Sequence, residues 1–90
     1  MDAAKFYVEC NGDLVATAKK MASPDYQDRM EAEYAQARIR LNRLCDMLTA
    51  WENGELDFEP KCPRELLDAQ MGALGSYVAI LQARENYENR

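Results

Sequence analysis

Apolar residues recur at alternating spacings of four and three along two long stretches of the chain. This spacing places side chains on one face of an α-helix, so it predicts two amphipathic helices, at about 24–52 and 63–88. The first seam consists of Met30, Tyr34, Ala37, Leu41, Leu44, Leu48 and Trp51. The second consists of Leu67, Met71, Leu74, Val78 and Leu81. Because a short connection joins the helices, we predict a mainly α fold built on an antiparallel two-helix hairpin.

The expected ends of these helices carry residues that commonly start or stop a helix. Ser23 is expected to be the N-cap of the first helix, with Pro24 at the first helical position, where its fixed φ is already suitable. Asn53 and Gly54 then provide a left-handed stop. Pro63 opens the second helix in the same way as Pro24 opens the first.

The N-terminal segment is richer in Val, Tyr and Phe, and Asn11 and Gly12 divide it into two short stretches. Asn-Gly favours the type I′ turn of a β-hairpin, because both central residues of that turn need positive φ. We therefore predict a short N-terminal β-hairpin that pairs Val8 with Val15 and rests on the helices or on a second copy. The alternative is a short helix over Leu14–Met21, which its Ala and Lys residues favour.

The second predicted helix also carries a stripe of small residues, which we expect to form an oligomer interface. Its members are Ala69, Gly72, Ser76, Ala79 and Ala83. A further row, mostly apolar, consists of Leu66, Ala73, Tyr77 and Ile80. One partner helix covers one stripe, so a helix that is apolar on much of its circumference needs more than its hairpin mate. We expect a homo-oligomer; the alternative is that the N-terminal segment covers these rows within a monomer.

Length and composition indicate a single domain over residues 1–90, made of an N-terminal extension, 1–22, and a helical hairpin, 23–90. The formal charge of −5 disfavours a general nucleic-acid binder, which needs a basic surface. The chain has no His and three Cys without metal-ligand spacing, so we expect no metal, no cofactor and no enzymatic activity. No signal-like start or long apolar run is present, so we expect a soluble cytoplasmic protein without membrane contact.

Arginines in the middle of the first helix are candidates for binding an anion, since the guanidinium group suits phosphate. The alternative is that they pair with nearby acids or cover apolar surface with their stems. The small-residue face of the second helix could admit a flat ligand between subunits, closed by an arginine and an aromatic ring. The candidate ligand-binding residues are therefore Arg40, Arg43, Tyr26, Ser76 and Arg84.

Between Arg29 and Arg84 the sequence resembles a family of short phage-encoded proteins related to a crAss-like phage protein of unknown role. Its most specific part is the loop Gly54-x-Leu56-x-Phe58-x-Pro60-x-Cys62-Pro63. The other matching residues are Arg29, Met30, Glu33, Tyr34, Arg43, Leu44, Leu66, Leu67, Gln70, Tyr77, Leu81 and Arg84. Residues 66–81 are also weakly similar to phage sponges that bind cyclic oligonucleotides. The resemblance implies a phage accessory protein acting in the cytoplasm of an infected bacterial host.

Two functions are compatible with a phage protein of this make-up. The first is a non-catalytic counter-defence sponge that sequesters a nucleotide-derived immune signal, such as a cyclic nucleotide or an ADP-ribose-type molecule, as a homo-oligomer. The second is an anti-CRISPR-like inhibitor that binds a host defence protein through acidic surface and exposed aromatic side chains. A structural or regulatory phage protein without a defence role is a third possibility.

Overall fold

The computed structural model describes residues 2–89, and within that range the chain forms four helices and no strands. In chain order these are α1 (Ala3–Cys10), α2 (Leu14–Met21), α3 (Tyr26–Glu52) and α4 (Arg64–Glu88). The start of α3 meets the end of α4, where Tyr26 contacts Glu88, and Glu52 at the end of α3 contacts Arg64. The predicted antiparallel hairpin of two long helices is therefore confirmed.

The N-terminal β-hairpin prediction is wrong, because residues 3–10 and 14–21 are both helical. Asn11 and Gly12 do have positive φ, at 49° and 77°, as the prediction required. A left-handed residue also ends a helix, however, and here Asn11 is the C-cap of α1. Asp13 then caps α2 by accepting the Val15 N–H at 2.9 Å. The helical alternative over Leu14–Met21 is the one that the structure confirms.

Burial in α1 follows the helical period and not the alternation that suggested a strand. Ala3 and Cys10 are buried, and Tyr7 packs beside them, which places the three on one helical face. Val8 would share a face with Cys10 in a strand, yet it is 71% exposed. The apolar residues that α1 buries therefore follow the helical period of 3.6 residues, although the Asn-Gly pair favoured a turn between two strands.

The N-cap of α3 is Asp25, two residues after the predicted Ser23. The Asp25 carboxylate accepts the Gln27 N–H at 3.0 Å, and it places a negative charge at the positive end of the helix. Ser23 supports this cap from outside the helix, since its hydroxyl accepts the Asp25 N–H at 3.1 Å and donates to Asp28 at 2.8 Å. Asp25 and Ser23 thus share the capping role that we predicted for Ser23 alone.

The predicted stop of α3 is confirmed at Gly54, whose φ is 69°. Its N–H donates to the Trp51 carbonyl at 3.1 Å, and the Glu55 N–H donates to the Ala50 carbonyl at 2.9 Å. This pair of bonds is the Schellman arrangement, which satisfies carbonyls that the helix end would otherwise leave open. The chain then turns toward the start of α4.

Helix α3 is the centre of the fold, because α1, α2 and α4 all pack against it. On one side, Met30, Tyr34 and Ala37 form a buried cluster with Ala3 of α1 and Leu81 of α4. On another, Ala35 and Ile39 pack against Cys10 and are covered by α1 and α2. These two clusters leave α4 with a single helical neighbour over most of its length.

A candidate binding cavity between α2, α3 and α4

A cavity of about 450 Å³ opens where the end of α2 meets α3 and α4. Its lining consists of Met21, Arg29, Glu33, Gln36, Ala37, Arg40, Leu74 and Tyr77. Sites that hold small molecules typically measure about 300–1,000 Å³ and combine an apolar lining with a few polar groups. Both the size and the mixed lining of this cavity match that description.

The polar wall of the cavity comes from one face of α3. Arg29, Glu33, Gln36 and Arg40 follow one another at spacings of four, three and four, which places them on the same side of the helix. Met21 stands at the α2 end of this wall, and α4 supplies the opposite side through Leu74 and Tyr77. The site therefore depends on the packing of α2 and α4 against α3.

The two arginines of the cavity have different surroundings. Arg29 donates to the backbone carbonyls of Ser23 and Pro24 at 3.0 and 2.8 Å, so it fixes the loop before α3. Arg40 is exposed and makes no hydrogen bond or ion pair with any residue from 2 to 89. Its guanidinium group is therefore available to an anionic ligand.

Hydrogen bonds from Tyr77 and Gln36 hold the other walls in place. The Tyr77 hydroxyl donates to the Glu33 carboxylate, which ties α4 to α3 across the cavity. The Gln36 amide donates to the Thr17 hydroxyl and to the Met21 sulfur, each at 3.4 Å. Thr17 is fully buried, so this contact anchors α2 against α3. These hydrogen bonds hold the cavity wall in place without a ligand.

This arrangement suits a flat molecule that carries negative charge. The Tyr77 side chain is 39% exposed, so its ring can take part in stacking. Arg40 offers a planar donor for phosphate or carboxylate. The chain has a formal charge of −5, so its surface as a whole does not favour anions. The free guanidinium group of Arg40 provides one specific place where an anion can bind.

The five predicted ligand-binding residues do not lie together. Arg40 lines the cavity, whereas Arg43 donates to the Gly12 carbonyl at 2.7 Å and braces the turn between α1 and α2. Arg84 donates to the Tyr26 hydroxyl at 3.0 Å, where the ends of the hairpin meet. Ser76 lies on the exposed face of α4. The predicted set is therefore spread over four places, of which the cavity is one.

Tyr26 and Arg84 already have partners near the C-terminal end of α4. The Tyr26 hydroxyl donates to Glu88, and this hydrogen bond is the main cause that raises the pKa of Tyr26 above its usual value. Arg84 also lies 3.9 Å from the Glu88 carboxylate. The three groups form a small network that fastens α4 to the start of α3.

Sequence reasoning missed Arg29, Gln36 and Tyr77 as members of a site. The spacing of the polar residues on α3 was the available signal, because four of them share one face beside the apolar seam. Tyr77 gave no such signal, since it belongs to a row of α4 that is otherwise mostly apolar. Its position in the cavity follows from how α4 packs.

Neither a metal site nor a membrane span was found in the described part of the chain. Between residues 2 and 89, no group of three or more Cys, Asp or Glu side chains is placed to hold a metal ion. In the same range, no helix is both long and apolar enough to cross a membrane.

The family model described as Sequestin matches residues 24–87 of the chain. The chain belongs to the Sequestin family. The matched region contains α3, the connecting loop and α4, whereas α1 and α2 lie before it. No curated protein and no solved structure matches the chain. The family name describes a sequestering protein, which agrees with the predicted binding role and names no ligand, source organism or assembly.

The family region contains nearly all of the cavity. Seven of its eight lining residues lie between 24 and 87, and Met21 is the exception. Helix α2 completes a site whose polar wall and opposite side both come from the part of the chain that the family model covers.

Proposed function

We propose that this protein sequesters a nucleotide-derived immune signal, holding it in the cavity between α2, α3 and α4 without converting it. The observation that carries the proposal is that one cavity is lined by the unpaired guanidinium group of Arg40 and by the partly exposed ring of Tyr77. The family name adds independent support, because it describes sequestration. The resemblance to phage proteins supports action in the cytoplasm of an infected bacterium, and the apolar surface of α4 supports action as a homo-oligomer.

The chemistry of a nucleotide matches the charged and aromatic groups of the site. A phosphate group would accept hydrogen bonds from Arg40, and a base would stack on Tyr77. Gln36 also lines the cavity, and its amide can form hydrogen bonds with a polar edge of the base or ribose. Cyclic dinucleotides, cyclic trinucleotides and ADP-ribose-type molecules all combine these groups.

Binding without conversion is consistent with the groups that the cavity offers. General acid–base catalysis needs a group that titrates near the working pH, and the chain has no His. Glu33, the carboxylate of the lining, is engaged by the Tyr77 hydroxyl. A protein of this kind would act stoichiometrically, so its effect would depend on its abundance relative to the signal.

Calorimetry with a panel of cyclic dinucleotides, cyclic trinucleotides and ADP-ribose isomers tests the proposal. At least one class should bind, and Arg40→Gln should weaken that binding at least tenfold, which corresponds to about 1.4 kcal/mol. Lys61→Gln is the matched control, because it removes the same charge from an exposed residue outside the cavity and should leave affinity unchanged. Tyr77→Ala should weaken binding, whereas Tyr77→Phe should keep the stacking surface.

Recovery of the bound molecule tests the absence of conversion. After incubation and heat denaturation, chromatography should return the ligand intact and in a one-to-one ratio with the sites filled. If no molecule of the panel binds, the proposal is wrong. Capture of a host defence protein from a host lysate, without any small molecule, would favour the inhibitor alternative. A product that accumulates with time would show an enzyme.

A further inference from the structure

An apolar face of α4 points away from the rest of the molecule. Its positions recur at spacings of three and four and are all exposed; we call them the outer seam. They are Leu66, Ala69, Ala73, Ser76, Ile80, Ala83 and Tyr87. Leu66, Ile80 and Tyr87 are 60%, 58% and 67% exposed, which is unusual for three large side chains on one helical face.

Between Leu66 and Ala83, no other helix of the described chain covers the outer seam. Helices α1 and α2 pack against α3, and the inner seam of α4, which includes Leu74 and Leu81, faces α3 as well. Apart from its chain neighbours and the backbone of its own helix turn, a Cβ atom built on Gly72, at the edge of the outer seam, would meet no atom of the described chain within 4 Å. The alternative in which the N-terminal segment covers these rows within one chain is therefore not what the structure shows.

We infer that the outer seam is an interface between two copies of this chain, with their α4 helices packed side by side and antiparallel. This inference gives a surface and a register to the homo-oligomer of the proposed function, on which it rests, but it does not depend on the identity of the ligand. The argument for a second copy comes from the order of large and small residues along the seam.

In the antiparallel register, Leu66 and Ile80 each meet a small residue. Leu66 lies beside Ala83 of the second copy, and Ile80 lies beside Ala69 of the second copy. At the centre, Ala73 meets Ser76 twice, once on each side of the two-fold axis. Alternating large and small residues across facing positions lets two helices interdigitate without voids, and a symmetric interface must be self-complementary in this way.

A parallel pairing of the same seam fits poorly. Each residue would then face its own copy, so Leu66 would meet Leu66 while the small residues at 69, 73 and 76 met one another. The helices would be held apart at the large residues and would leave gaps at the small ones, which costs packing energy. The antiparallel arrangement also sets the two helix dipoles in opposition.

The length of the seam sets the expected strength of the dimer. From Leu66 to Tyr87 it spans about 30 Å of helix. A contact along one helix face is narrow, whereas stable interfaces bury roughly 1,200–2,000 Å². We therefore expect a dimer that forms at micromolar protein concentration and not a permanent assembly.

Sedimentation at about 100 µM protein, well above a micromolar dissociation constant, tests the interface itself. The parental chain should have at least the mass of a dimer, and Ile80→Asp should reduce it to a monomer with unchanged helix content. Val15→Asp is the matched control, because it adds the same charge at an apolar residue of α2 that is 62% exposed, and it should keep the parental mass. A monomeric parental chain, or an assembly that survives Ile80→Asp, would overturn the inference.

Disulfide cross-linking tests the register. The exposed Cys62 is first replaced by Ser, and two further variants then carry Ala69→Cys or Ile80→Cys. In the antiparallel register, residues 69 and 80 of different copies are neighbours, whereas two copies of residue 69 lie about 16 Å apart along the axis. A disulfide needs Cα atoms within about 7 Å, so a cross-linked dimer should form in the mixture and in neither variant alone.

Each other outcome of the cross-linking has a defined meaning. Cross-linking of each variant with itself would show a parallel dimer, and absence of a cross-link in the mixture would exclude the register. Calorimetry on Arg40→Gln separates this inference from the proposed function. If ligand binding depends on Arg40 and the mass in solution is unchanged by Ile80→Asp, the interface is wrong and the proposed function stands. If Ile80→Asp gives a monomer and no ligand of the panel binds, the interface stands and the proposed function is wrong.

Discussion

Leu81 is the largest side chain that the fold buries completely, at 1% exposed, and it joins α4 to the central helix α3. It packs in the cluster formed by Met30, Tyr34 and Ala37, so truncation would leave a cavity between the two long helices. Leu81→Ala should therefore lower the free energy of unfolding by about 2–5 kcal/mol, since the loss combines transfer and cavity terms.

That loss is large relative to the whole fold. A chain of this length is expected to be stable by roughly 5–13 kcal/mol, so one truncation removes a substantial share. For a loss of about 3 kcal/mol, the midpoint of thermal unfolding should fall by about 12–24 °C. Circular dichroism at a fixed protein concentration measures this midpoint, and the fixed concentration removes any contribution from changes in assembly.

Val15→Ala is the matched control, because it also shortens an apolar helical side chain, but one that is 62% exposed on α2. It should change the free energy of unfolding by no more than about 0.5 kcal/mol. If Leu81→Ala and Val15→Ala had equal effects, the packing of α4 against α3 described above would be incorrect.

Four further predictions concern two glycines, a helix cap and the thiols. Gly54→Ala should destabilise the fold by about 1 kcal/mol, because Gly54 has positive φ. Gly75→Ala should stabilise it by about 0.5–1 kcal/mol, since Gly75 lies inside a helix with space for a Cβ. Asp13→Ala should cost about 1 kcal/mol through loss of the α2 cap, as chemical denaturation would show. In alkylation followed by mass spectrometry at neutral pH, Cys62 should react first and Cys10 last, because burial raises the pKa of the Cys10 thiol; equal rates would contradict its burial.

The two long helices could be predicted from the sequence because their signals are local and repeated. Apolar residues recur every three or four positions over residues 30–51 and 67–81, and this spacing is typical of an α-helix and not of a strand. The stop at Gly54 was equally clear, since a left-handed residue after a long helix has one common meaning. These features needed no information from distant parts of the chain.

The N-terminal segment shows where local signals are ambiguous. Positive φ at Asn11 and Gly12 serves a type I′ turn and a helix C-cap equally well, so the turn did not identify the elements on either side. What decides between them is the surface that each element can bury. As a helix, α1 places Ala3 and Cys10 against α3, and a strand would have placed Val8 there instead.

The sequence by itself determined the helical hairpin, the acidic surface and the surplus of apolar and small residues on α4. Only the tertiary structure decided which of those faces stayed open and which residues met in the cavity. Met21, Arg40 and Tyr77 lie on three helices, and their convergence depends on how far each helix is rotated against α3. Periodicity specifies the faces of one helix, whereas a site between helices depends on packing contacts that no single stretch of sequence contains.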